Sequence, residues 1–132
     1  MLRLRVKLCR GGSCVEALAV ANSGFVGFEP EILAPLRVVE PLLGRSPRVE
    51  LVERVLADGS VVQLPRTVDP VDVLVVSEDR VAGPVPARVY LGRGLLLLND
   101  KLLSKLGVAI IDPGEGLWCF RDELGVRVRK GY

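Results

Sequence analysis

From Leu2 to Leu8 apolar and basic residues alternate without a slip. Leu2, Leu4, Val6 and Leu8 fall on one face of an extended chain, and Arg3, Arg5 and Lys7 on the other. A period of two is the mark of a half-buried strand. The turn residues Arg10-Gly11-Gly12-Ser13 then send the chain back as a second strand over Cys14 to Ala21. This predicts an N-terminal β-hairpin that ends at Asn22-Ser23-Gly24, three small residues set between two apolar segments.

The same grammar recurs downstream. β-Branched residues flank Asp58-Gly59 over Arg48 to Leu56 and Val61 to Leu64, which predicts a second hairpin. Val71 to Val76 and Ala87 to Leu91 read as strands interrupted by Pro65, Pro70, Pro84 and Pro86. Pro30-Glu31-Ile32-Leu33-Ala34 is expected to form one helical turn, with Pro30 at its first position. One short helix is expected from Asn99 to Leu106, capped by Asn99 and closed by Gly107. Two further strands are expected near Val108 to Ile111 and Leu117 to Phe120, around Asp112-Pro113-Gly114, with a short alternating tail from Val126 to Arg129. Many short strands and little helix predict an all-β barrel or sandwich, and 132 residues is the size of one domain, 1–132.

The order of these pieces resembles the retropepsin-like aspartic peptidases, from about Val15 to Phe120. Where that family carries Asp-Thr-Gly or Asp-Ser-Gly, this chain has Asn22-Ser23-Gly24. The start of the family's flap hairpin is matched by Ala57-Asp58-Gly59. Its late signature, two aliphatic residues and Gly, then a helix ending in Leu-Gly and an Ile-Asp pair, is partly matched by Leu97-Leu98-Asn99, Leu106-Gly107 and Ile111-Asp112. The resemblance implies a closed β-barrel of the acid-protease type, a two-fold homodimer, and an extended peptide held in a groove. Phe25, Val26 and Phe28 would form its floor, and the hairpin around Asp58 and Gly59 its flap.

Asn22 stands at the position of the family's catalytic aspartate. That mechanism needs two carboxylates, one per subunit, sharing a proton. An amide donates and accepts hydrogen bonds without titrating in the working range, so it cannot take a proton from water. With no His in the chain, nothing is present to activate Ser23 as a nucleophile. The expectation is a peptidase fold without hydrolysis, retaining peptide binding. The alternatives are an active endopeptidase whose aspartate was replaced by Asn in this chain, and a plain strand-capping turn with no interface.

Composition narrows the remaining classes. The apolar runs fall far short of the roughly 20 residues that cross a bilayer as a helix. The N-terminus does not resemble a secretory signal, so a cytoplasmic protein is expected. Absence of His and scarcity of Asn, Gln and Met suggest a thermophilic source. Cys9 and Cys14 bracket the first turn and are either a cross-strand disulfide or two small apolar residues; Cys119 is expected to be a buried apolar residue. No metal or cofactor motif appears. Arg3, Arg5, Lys7, Arg127, Arg129 and Lys130 can form a basic patch if the terminal strands pair. A net charge of +2 with six aromatic residues makes nucleic acid a weak third reading, of a basic interaction module.

Overall fold

Strand β1 (Arg3–Arg10) follows the alternating pattern of its sequence. Leu4, Val6 and Leu8 are buried, as is Leu2 just before the strand, while Arg3 is exposed and Arg5 and Lys7 are half-buried. It pairs antiparallel with β2 (Ser13–Ala21), so that Cys9 lies opposite Cys14. The computed structural model describes residues 1–21, 25–56 and 58–132.

Nine further strands and two α-helices follow among the described residues: β3 (Glu31–Pro35), α1 (Leu36–Leu43), β4 (Val49–Val55), β5 (Val61–Thr67), β6 (Val71–Val76), β7 (Val81–Gly92), β8 (Leu97–Leu98), α2 (Asp100–Leu106), β9 (Val108–Asp112), β10 (Leu117–Phe120) and β11 (Arg129–Lys130). A single 3-10 turn, Arg121–Glu123, follows β10. The larger sheet has the order β3-β8-β2-β1-β6-β7-β5-β4, and β3 also pairs with β7, so six of its strands close into a ring. The β4–β5 hairpin extends from that ring, with Arg66 opposite Tyr90 as its register contact to β7. Strands β9, β10 and β11 form a separate small sheet.

The core lies within the ring, built from the inward residues of β1, from Val71, Val73 and Val75 of β6, from Val89 and Leu98, and from Leu102, Leu103 and Leu106 of α2. Trp118 and Phe120 pack edge to face, 5.0 Å between ring centres, and join the small sheet to the same core.

Three local expectations are corrected. Glu31 to Ala34 form β3 and not a helical turn. They pair in parallel with Arg88–Leu91 and, through Ile32 and Leu33, antiparallel with Leu97–Leu98, and hydrogen bonding on two edges outweighs Pro30's helix-starting preference. The helix near Asn99 is not alone, because α1 follows β3 directly. It has no side-chain N-cap and carries Pro41 inside, so the usual start signal is missing, although Gly44 closes its end. The tail contributes only Arg129–Lys130 as a strand, with Val126 and Val128 exposed. Prolines also prove compatible with strands here, since β5 contains Pro65 and β7 contains Pro84 and Pro86.

Candidate functional site

The segment that begins at Phe25 is anchored by the start of α2. The Asp100 N–H donates to the Phe25 carbonyl (3.0 Å), and Asn99 is fully buried beneath the next residues. Its side-chain oxygen accepts from the Leu102 N–H (3.0 Å), capping α2, and also from the Glu31 N–H (3.0 Å). Its amide nitrogen donates to the Glu29 carbonyl (2.9 Å) and lies 3.5 Å from Glu31 Oε1. One side chain therefore fixes α2, β3 and the segment from Phe25 to Glu31 against one another.

Glu31 is a buried carboxylate, 1% exposed. Arg66 of β5 donates to its Oε2 at 2.7 Å and to Glu50 at 2.7 Å, while Arg54 of β4 approaches its Oε1 at 3.6 Å. Although burial opposes it, the hydrogen bonds to Glu50 and Glu31 hold the Arg66 pKa above its usual value. Tyr90, 2% exposed, turns its hydroxyl toward the Glu31 carboxylate without completing a well-formed hydrogen bond. Burial first, and then the adjacent Glu31 carboxylate, push its pKa up. The Phe25 and Tyr90 rings stand 6.0 Å apart. The Arg54 guanidinium lies 5.9 Å from the first ring centre and 5.6 Å from the second, and it also donates to the Val26 carbonyl.

Two recesses flank this group. One, of about 230 Å³, is lined by Phe25, Val26 and Leu33 on one side and by Arg54, Val55, Leu56 and Leu64 of the hairpin on the other, with Tyr90 and Leu97 completing it. The second, of about 260 Å³, includes Phe28, Glu31, Val52, Arg66, Arg54 and Tyr90. A larger hollow of about 780 Å³ lies elsewhere, walled by Pro30, Pro70, Pro84 and Pro86 with Glu29, Arg88 and Lys105, and it holds no catalytic constellation.

Of the residues singled out from sequence, Phe25 and Val26 meet the hairpin stem across the first recess, and Phe28 borders the second with its own side chain fully exposed. Asp58 and Gly59 sit at the exposed hairpin tip and line neither recess. There Asp58 accepts from the Ser60 hydroxyl (2.6 Å) and N–H (2.9 Å), which lowers its pKa, and Gly59 adopts φ +85°, a conformation suited to glycine. Asn22, Ser23, Gly24 and Ala57 lie outside the described residues. Cys9 and Cys14 form a disulfide, and Cys119 is a buried free thiol. No group of three metal-ligating side chains occurs among the described residues, and no helix is long and apolar enough to cross a membrane.

Sequence reasoning missed Glu31, Arg54, Arg66 and Tyr90. For Arg54 and Arg66 the available signal was a charged residue on the same face as an apolar one in an alternating strand, in Val52-x-Arg54 and Leu64-x-Arg66. The basic patch, in turn, is partly neutralised: Arg127 pairs with Asp79 at 2.6 Å, and Arg129 pairs with Asp79 and Glu123 at 2.7 Å each.

Comparison with known protein families, with curated proteins and with solved structures finds no match to this chain.

Proposed function

We propose that the chain is a retropepsin-like domain that works as a two-fold homodimer and holds an extended peptide without cleaving it. The observation that carries this reading is the recess between Phe25 and Val26 and the stem of the β4–β5 hairpin, where a floor and a flap would face each other. The ring of strands entered by an N-terminal hairpin, and the short β8 leading into α2, support the acid-protease type of barrel. Peptide backbone would add between floor and hairpin as an extra strand.

Asn22 would then meet its symmetry mate at the two-fold axis, each amide donating to and accepting from the other. Such a pair is neutral at every pH. Dimer mass by sedimentation is expected to stay constant from about pH 4 to 8 as far as this turn contributes.

The decisive test compares the chain with Asn22→Asp on unfolded protein substrates from about pH 3 to 7, with products read by mass spectrometry. Cleavage by the variant alone, blocked by a transition-state peptide mimic, is the expected result. Cleavage by neither protein would overturn the peptidase-derived groove, and cleavage by both would overturn the loss of hydrolysis.

A further inference from the structure

The hairpin carries its own plug. Arg54 and Tyr90 line both recesses, so the Arg54 side chain stands where the two come together. Its surroundings have the chemistry of a guanidinium site: a buried carboxylate oxygen, a backbone carbonyl and two aromatic rings. Yet Arg54 is poorly matched to the carboxylate. Glu31 is already held at 2.7 Å by Arg66, and Arg54 stays 3.6 Å from the other oxygen. Beside them the buried Tyr90 hydroxyl faces the Glu31 carboxylate without a well-formed hydrogen bond, and its oxygen can accept from an incoming N–H. β4 is an edge strand, bonded to β5 alone among the described strands, so the Arg54 side chain can swing out with the β4–β5 and β5–β7 pairings intact.

We propose that Arg54 is an internal stand-in for a ligand, and that the recess it fills, formed by Glu31, the Val26 carbonyl, Phe25 and Tyr90, is a specificity pocket for an arginine side chain of an extended peptide. This rests on the peptide-groove reading and names its ligand class. Binding exchanges one guanidinium for another: the Arg54 side chain swings out, and the ligand's fork reaches Glu31 Oε1 and the Tyr90 oxygen. Lysine, with a point charge and no planar fork, is a weaker fit. Because the resting chain is plugged, its apparent affinity is reduced by the fraction of molecules with the plug in place.

The test uses Arg54→Ala and Arg54→Gln, the second keeping a donor for the Val26 carbonyl should the first fail to fold. Three probes are titrated by calorimetry: an octapeptide containing arginine, the same peptide with citrulline, and N-acetyl-arginine methylamide. The arginine peptide is expected to bind either variant at least about tenfold more tightly than the parent chain, with the citrulline peptide losing that gain. Adding Tyr90→Phe should weaken arginine binding without lowering the unfolding midpoint. Equal binding of both peptides to parent and variants overturns the arginine pocket and leaves the groove standing. Binding of the small amide to the variants without binding of any peptide upholds the pocket and overturns the groove. Binding of no probe to a folded variant overturns both.

Discussion

Asn99 and Glu31 hold each other through backbone and side chain at once. The Asn99 N–H donates to the Glu31 carbonyl at 3.1 Å, and the Glu31 N–H donates to the Asn99 side-chain oxygen at 3.0 Å. The same amide caps α2 and reaches the Glu29 carbonyl. Asn99→Ala removes the cap and leaves buried groups without partners, a loss of roughly 3 kcal/mol in the urea-derived unfolding free energy. Asn99→Asp should separate the two contributions. It keeps the acceptor but places a carboxylate oxygen 3.5 Å from Glu31 Oε1. Burial and like charge would raise the introduced carboxyl's folded pKa, so its deficit should be largest at pH 7 and shrink as pH falls toward about 4. A deficit independent of pH would mean that only packing is lost.

Gly27 lies against this same pair. A Cβ there would press onto Glu31 Oε1 and come within 3.0 Å of Asn99 Nδ2, two atoms held in place by the contacts above. Gly27→Ala is therefore expected to lower stability by about 1–3 kcal/mol through crowding, not through backbone conformation. An unchanged thermal midpoint would show that the Glu31 carboxylate is free to move aside.

Strand pattern and turn chemistry carried most of the architecture. The hairpin of Leu2 to Leu8, the Asp58-Gly59 turn and the Asn99 cap are local signals, and each stands in the fold as expected. What the sequence hid depends on distant pairing. Glu31 reads as a helix start until β7 and β8 bond to both of its strand's edges, and only then does its carboxylate face inward toward Arg66 and Tyr90. The local marks of α1 and of the Arg54 cluster are weak. The helix lacks a capping side chain, and a lone arginine in a strand normally signals solvent.

The Cys9–Cys14 disulfide closes a five-residue separation across a hairpin that is already paired. Short loops gain little from closure, so Cys9→Ser with Cys14→Ser should cost about 2 kcal/mol and leave the fold intact. Thiol titration in denaturant should find one reactive group per chain without reductant, Cys119, and three with it. Three in both conditions would show that the bridge does not form in solution.

Acid should act first on the cluster around Arg129. Arg129, 8% exposed, donates to Asp79 Oδ1 at 2.7 Å and to both oxygens of Glu123 at 2.8 and 2.7 Å, above the rings of Trp118 and Phe120. The bond from Arg129, followed by the Phe120 N–H, holds the Glu123 pKa down at about 2, and Arg129 with Arg127 holds Asp79 below the usual carboxylate range. Both folded values lie below the ordinary 4.5 and 3.8, so their contribution to stability is complete above that range. It is lost as pH falls from about 4.5 toward 2 and below, when the carboxyls take up protons and release the arginine. Urea midpoints should therefore hold steady from about pH 7 to 5 and decline below that. Arg129→Met, which keeps bulk over the two rings, should lower the midpoint at pH 7 and flatten the acid decline. Parallel curves for parent and variant would place the acid sensitivity elsewhere in the chain.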